Sequence, residues 1–144
     1  NRGFGAGDVI LILSENTLEH CLLMFGAYAA QVAVAPTSPG YSLQSTTFDK
    51  LVHVFDLTKP RAIFVQDGSR FAKALNALDL GDTEIIAAEN ANAVGATPLT
   101  DLIATAPTDQ VQNSIDAITP DTVAKILFTS GSTGMPKGVI QSHS

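Results

Sequence analysis

The residue types best suited to chemistry are concentrated in one short segment, Thr129 to Gly138, which lies between two apolar runs. It contains four hydroxyl residues, three glycines and one lysine. Glycine lets successive backbone N–H groups turn toward an anion, and such a concave nest binds phosphate. Hydroxyls add hydrogen-bond donors, and lysine adds a mobile positive charge. The segment therefore predicts a polyphosphate-binding loop, and the candidate nucleotide-binding residues are Thr129, Ser130, Gly131, Ser132, Thr133, Gly134 and Lys137.

Three other loop patterns that carry known chemistry do not fit this segment. A Walker loop needs Gly, four residues and then Gly-Lys-Ser/Thr, but Lys137 is followed by Gly138. The glycine spacing does not match the Gly-x-Gly-x-x-Gly of dinucleotide-binding folds. Ser132 is not flanked by glycine on both sides as a nucleophile elbow requires. The remaining alternative is a hairpin turn that binds nothing, although such a turn needs only two to five residues and no lysine.

The segment resembles the phosphate loop of the adenylate-forming superfamily, which includes acyl-CoA synthetases, peptide-synthetase adenylation domains and luciferases. That family's pattern is Thr-Ser-Gly-Ser/Thr-Thr-Gly-x-Pro-Lys-Gly-Val, and residues 129–139 satisfy every position. Residues 7–17 and 34–41 resemble upstream elements of the family in the expected order. Three segments look most like feruloyl-CoA synthases, namely residues 38–43, 53–56 and 124–127.

The resemblance implies a two-step ligase that uses ATP, Mg²⁺ and coenzyme A. A carboxylate, ferulate or a related hydroxycinnamate, would react with ATP to give an acyl-adenylate and pyrophosphate, and coenzyme A would then displace AMP as a thioester. Amides and hydroxyls of residues 130–134 would hold the β- and γ-phosphates, and Lys137 would neutralise developing charge. Two other interpretations stay open: a non-enzymatic phosphate- or nucleotide-binding module, and a purely structural α/β fragment.

The family's remaining machinery is expected after the loop. Its members carry an aromatic-Gly-x-Thr-Glu segment, a ribose-binding aspartate and a C-terminal domain with the catalytic lysine, all downstream. Residues 1–144 are therefore interpreted as a partial AMP-binding domain, truncated at both ends and lacking the C-terminal domain. Alone it is expected to be inactive, with no catalytic or metal-binding residue of its own. Sheet edges exposed by the truncation are expected to favour self-association.

Composition narrows the class of partner. The chain has 144 residues, 45% of them hydrophobic, and a net charge of −6, which argues against nucleic acid or an anionic membrane as a partner. The single cysteine, Cys21, fits a reducing cytoplasm. Neither Cys21 nor the three histidines have companions at catalytic or metal-ligand spacing. His143 follows the loop closely, so it either approaches the ligand or begins a further helix.

The apolar pattern predicts the elements that position the loop. Apolar runs predict strands over residues 8–13, 32–35, 61–66, 84–88 and 123–128, with an antiparallel return over 138–141. Asn16 is predicted to cap a helix whose apolar face carries Leu18, Leu22, Phe25 and Ala29 and is widened by Leu23 and Met24. Ser42 is predicted to cap a helix that buries Phe48, Leu51, Val52 and Phe55. Shorter helices are expected over residues 70–78, 99–104 and 109–118. The alternation predicts an α/β fold, a mainly parallel sheet flanked by helices, and the resemblance makes it part of the large N-terminal domain of an acyl-CoA synthetase.

Overall fold

Short apolar runs form the strands of one twisted sheet, as the sequence predicts. The structure is a computed structural model that describes residues 2–129 and 134–144. Its strands are β1 Val9–Leu13, β2 Ala33–Pro36, β3 Ala62–Asp67, β4 Glu84–Glu89, β5 Thr97–Pro98, β6 Val123–Thr129 and β7 Lys137–Ser142. They lie in the order β5-β4-β3-β1-β2-β6-β7. Neighbouring strands are parallel except for the antiparallel pair β6 and β7, so the predicted mainly parallel α/β sheet is confirmed.

Helices cover both faces of the sheet. They are α1 Leu18–Ala29, α2 Asp49–Thr58, α3 Ala72–Asn76, α4 Leu99–Ile103 and α5 Asp109–Asp116. On one face, Leu11 and Leu13 of β1 pack with α2 and α3, and on the other face Ile10 and Ile12 pack with α1 and α4. Because a strand's side chains alternate between faces, one apolar run supplies both cores.

The first helix, α1, differs from its prediction in its cap and in its buried face. Thr17, not Asn16, is the N-cap, and its hydroxyl accepts the His20 N–H at 3.1 Å. Leu18, Leu22 and Phe25 are 69%, 49% and 61% exposed, whereas Leu23 and Ala27 are buried against the sheet. The prediction is therefore confirmed for Leu23 and wrong for Leu18, Leu22 and Phe25. Apolar residues surround most of this helix, so spacing alone does not select the side that packs on the sheet.

The second helix, α2, buries the predicted face but begins later than predicted. Ser42 does not cap it, because Ser42 lies in a π-helical turn over Gly40–Gln44. The helix begins after Phe48, which has a left-handed φ of 57° and whose N–H is accepted by the Ser45 hydroxyl at 2.9 Å. Leu51, Val54 and Phe55 are buried, and Phe48 and Val52 pack beside them. The helix ends at Lys59, before Pro60.

The remaining differences concern short elements. The two-residue strand β5 and a 3₁₀ turn over Ala91–Val94 lie between the predicted strand over 84–88 and the predicted helix over 99–104, where the sequence predicts neither a strand nor a helix. Helix α3 is shorter than the predicted 70–78. In residues 2–129 and 134–144, no helix combines the length and apolar character that a membrane crossing requires. Within the same residues, no cluster of three or more His, Cys, Asp and Glu side chains could hold a metal ion.

The turn after β3 is organised by one carboxylate, Asp67. Its Oδ1 accepts from Asn90 Nδ2 at 3.0 Å and from the backbone N–H groups of Ser69 and Arg70 at 2.8 and 3.4 Å. The hydrogen bond from Asn90, with smaller contributions from those amides, lowers the pKa of Asp67. These bonds favour the ionised form, so they stabilise the folded chain while the carboxylate is charged.

The lowered pKa of Asp67 predicts a pH-dependent contribution to stability. A carboxyl whose pKa is lower in the folded state stabilises the fold above its unfolded pKa of about 3.9, and that contribution is lost as the pH falls through the folded value. Asp67→Asn is therefore expected to unfold at lower urea concentration than the wild type at pH 7, with a smaller difference near pH 3. Urea titrations at both pH values would measure this, and an equal difference at both would contradict it.

Candidate phosphate-binding site

The candidate loop joins the two strands at one edge of the sheet. β6 pairs in parallel with β2 through Val34 and Lys125, and it pairs antiparallel with β7. The chain leaves β6 at Thr129 and returns at Lys137, so the predicted antiparallel return is confirmed and is slightly longer than predicted. The loop thus leaves the carboxyl end of a parallel strand, where α/β sheets bind their ligands.

Three of the seven candidate residues lie in the described part of the chain, at the end of this hairpin that carries the loop. Thr129 and Lys137 are cross-strand partners, and the Thr129 hydroxyl lies 3.5 Å from the Lys137 carbonyl oxygen. Gly134, Thr129 and Lys137 are all exposed. The ion pairs recorded among the described residues involve Arg2, Arg61 and Arg70, not Lys137. The other four candidates, Ser130, Gly131, Ser132 and Thr133, lie outside the described residues.

Gly138 has a packing role in the hairpin. A Cβ at this position would lie 3.2 Å from Ile126 Cγ2 and 3.3 Å from the Phe128 ring. Phe128 is its cross-strand partner, so the missing side chain lets that ring lie across β7. The glycine that follows the lysine therefore fixes how the two strands pack beside the loop.

One contact to the loop was not predicted from the sequence. His53 of α2 places its Nε2 at 2.9 Å from the carbonyl oxygen of Pro136, 83 residues away and next to Lys137. Pro136 is buried, while His53 is half-buried. At the level of sequence, His53 is considered as a metal ligand and as part of the segment 53–56 that resembles feruloyl-CoA synthases, but no pattern in the chain links it to the loop.

A cleft of about 470 Å³, lined mostly by polar residue types, opens beside Met135 of the loop. It lies between the π-helical turn, the start of α2 and Met135. The Lys50 ammonium is 5.6 Å from the centroid of the Tyr41 ring at its wall. The residues that line the cleft are Ser38, Gly40, Tyr41, Ser45, Thr47, Asp49, Lys50 and Met135.

His143 does not approach the loop. It follows β7, whose Ser142 pairs with Val123 at the amino end of β6, the end of the hairpin opposite the loop. The His143 N–H donates to the Thr122 carbonyl at 3.0 Å, and its ring packs edge-on against Tyr28 at 5.4 Å. Strand β7 runs away from the loop along β6, so a residue that follows β7 lies at the far end of the hairpin although it is close to the loop in sequence.

The fold and the hairpin define a class: a parallel α/β sheet with a glycine- and hydroxyl-rich, lysine-containing loop at the carboxyl end of a strand. The sequence profile of the AMP-binding enzymes matches residues 1–144, and the chain belongs to that family. It is 29% identical over 148 residues to 4-coumarate–CoA ligase 2 of Oryza sativa subsp. japonica. That alignment covers 98% of this chain and 26% of the relative.

Two further proteins are similar to this chain. The chain is also 29% identical over 150 residues to luciferin 4-monooxygenase of Photuris pensylvanica, which covers 98% of this chain and 26% of that protein. The fold matches a solved benzoate CoA ligase from Burkholderia xenovorans LB400 with a TM-score of 0.75, at 22% identity, over 99% of this chain and 25% of that chain. The chain spans about a quarter of the length of these relatives.

Proposed function

We propose that this chain is the phosphate-binding part of an ATP-dependent acid–thiol ligase. Residues 1–144 then form part of a larger AMP-binding domain, and the catalytic groups and a C-terminal domain lie in the remainder of the protein. The observation that carries the proposal is the position of Lys137, exposed at the mouth of a hairpin loop at the carboxyl end of β6. Family membership supports the same assignment.

The proposed reaction has two steps, adenylation of the acid and thioester formation. An oxygen of the substrate carboxylate attacks the α-phosphorus of ATP, the bond from that phosphorus to the pyrophosphate oxygen breaks, and an acyl-adenylate forms. The thiol of coenzyme A then attacks the acyl carbon, loses its proton, and AMP leaves. Negative charge increases on the α-phosphate oxygens and the departing pyrophosphate during the first step, so fixed donors and a cation there lower its barrier.

The residues of the loop are suited to the polyphosphate of that substrate. By residue type, Thr129, Ser130, Ser132 and Thr133 would supply hydroxyl donors, Gly131 and Gly134 would allow backbone N–H groups to turn toward the phosphates, and Lys137 would supply the cation. Mg²⁺, when bound with the nucleotide, would neutralise phosphate charge and take its ligands from phosphate oxygens and water. We assign these seven residues to nucleotide binding and none of them to catalysis of proton transfer.

For the acid, we propose ferulate or a related hydroxycinnamate. The resemblance of residues 38–43, 53–56 and 124–127 to feruloyl-CoA synthases favours a small aromatic carboxylate. The need for ATP and coenzyme A, together with the free, half-buried Cys21, favours a cytoplasmic location.

Carboxylate-dependent exchange of labelled pyrophosphate into ATP tests the function in the full-length protein that carries this segment. We expect exchange with ferulate or 4-coumarate and thioester formation when coenzyme A is added. Exchange with a different acid would retain the ligase and reject the proposed substrate. Binding of ATP without exchange for any acid would instead indicate a non-enzymatic module. The 144-residue chain alone is expected to show no exchange.

The edge strand β7 is the proposed self-association surface of the isolated chain. Val139 and Ile140 are 47% and 67% exposed along it. An exposed edge with unpaired backbone groups pairs readily with another strand. At the opposite edge, β5 is only two residues long and contains Pro98, so it offers little to pair with. Light scattering is expected to show concentration-dependent dimers of the 144-residue chain, and a strict monomer would contradict this.

A further inference from the structure

The hydrogen bond between His53 and Pro136 joins a packed helix to the loop that carries Lys137. Its geometry assigns the proton, because a carbonyl oxygen only accepts and so Nε2 of His53 must donate across the 2.9 Å. Both the neutral Nε2–H tautomer and the doubly protonated ring can make this bond. The contact therefore does not depend on the charge of the histidine.

The carbonyl of Pro136 is a backbone acceptor in a buried residue. Proline has no backbone N–H, so this carbonyl is its one backbone hydrogen-bonding group. Pro136 immediately precedes Lys137, the first residue of β7. A buried carbonyl without a partner is costly, and the imidazole removes that cost.

Helix α2 gives the donor a rigid base. Leu51 and Val54, on either side of His53 in sequence, are fully buried in the core beneath the sheet. The left-handed residue Phe48 sets where the helix starts, and the Ser45 hydroxyl holds the Phe48 N–H. The position of the imidazole is thus fixed by core packing rather than by the loop that it contacts.

We propose that His53 is a positioning residue for the phosphate-binding loop: it holds the Pro136 carbonyl, and so fixes the backbone from which Lys137 projects toward the polyphosphate. This inference rests on the proposed function. His53 itself does not touch the substrate. Its effect is geometric, because small displacements of a positioned group cost large factors in rate.

The decisive comparison is His53→Gln against His53→Asn in the full-length protein. The glutamine amide nitrogen can occupy the position of Nε2 and donate to Pro136, whereas the shorter asparagine cannot reach it. We expect His53→Asn to lower kcat/KM for ATP in the exchange reaction by about tenfold to a hundredfold. His53→Gln is expected to stay within about threefold of the wild type. Equal kcat/KM for the two variants would overturn the proposal.

His20→Asn is the matched control. His20 is also half-buried, and its Nδ1 donates to a backbone carbonyl, that of Glu15, at 3.2 Å, but it lies on α1 against the opposite face of the sheet. Its replacement is expected to leave kcat/KM unchanged. A purely structural role for His53 would lower the melting temperature and the fraction of active enzyme without changing KM for ATP. A change in kcat alone, scaling with the active fraction, would therefore also overturn the proposal.

A double-mutant cycle with Lys137→Ala tests whether His53 acts through the lysine. If it does, His53→Asn should change kcat/KM by less than about twofold once Lys137 is absent. Full additivity would contradict the proposal. If the wild-type protein shows no exchange with any acid, the proposed function fails, and binding of inorganic pyrophosphate by calorimetry then gives the same comparison of Gln with Asn. If the wild-type protein is active and the two His53 variants have equal kcat/KM, the role of His53 is rejected while the proposed function stands.

Discussion

Replacement of Lys137 by alanine is expected to lower kcat/KM for adenylation by about a hundredfold or more in the full-length protein. Lys137 carries the one cation among the seven candidate loop residues, and it is the cross-strand partner of Thr129 at the loop end of the hairpin. Negative charge accumulates on the α-phosphate oxygens and pyrophosphate in the transition state. Loss of the lysine cation should therefore lower kcat as well as raise KM for ATP.

Two further variants separate charge from geometry at this position. Lys73→Ala removes the same charge from an exposed site on α3 and is expected to leave exchange unchanged. Lys137→Arg keeps the charge but replaces a compact ammonium with a planar guanidinium, so only partial activity is expected. Pyrophosphate exchange with saturating acid measures all three. Activity of Lys137→Ala equal to that of Lys73→Ala would remove Lys137 from the proposed site.

The centre of the sheet could be predicted because the strands β1, β2 and β3 are buried on both faces. A strand such as Val9–Leu13 must then be apolar at every position, and that signal is local and strong. Turn residues such as Pro36, Pro60 and Gly68 mark the ends of these runs. The order of the strands in the sheet had no comparable local signal, since it depends on crossovers between distant segments.

The helices show where local patterns are insufficient. In α1 the apolar side chains extend around most of the circumference, so tertiary packing chose Leu23 and Ala27 over Leu18, Leu22 and Phe25. Asn16 and Thr17 are both good caps, and the extended backbone of Thr17 decided between them. The start of α2 depends on a left-handed phenylalanine, a conformation that bulky side chains rarely adopt, and no sequence rule would select it.

The candidate site was predictable in its composition but not in its support. Glycines, hydroxyls and a lysine at fixed spacing indicate phosphate chemistry because the required donors are adjacent in sequence. The hairpin return was predicted from the apolar residues after Gly138 and is confirmed. By contrast, the His53–Pro136 hydrogen bond joins residues 83 positions apart, and neither residue type indicates the other. Only the folded chain brings them together.

Substitution of Gly68 by alanine is expected to destabilise the fold by about 2–3 kcal/mol, because a methyl group has no room there. A Cβ at this position would clash with the Asn90 carbonyl oxygen and lie 3.0 Å from Val94 Cγ2. The Gly68 N–H donates to the Glu89 carbonyl at 2.9 Å, so the backbone cannot move away without breaking that bond. The constraint is close approach between the ends of β3 and β4.

Gly26→Ala is the matched control for this prediction, since both variants add one methyl group to a glycine. Gly26 lies in α1, and a Cβ there would meet nothing within 4 Å. Alanine is the better helix former, so this variant should gain about 0.5–1 kcal/mol. Urea unfolding followed by circular dichroism should therefore move the two midpoints in opposite directions with similar slopes. Midpoints shifted equally would mean that the turn after β3 yields to the methyl group, and that the approach of β4 does not require glycine at position 68.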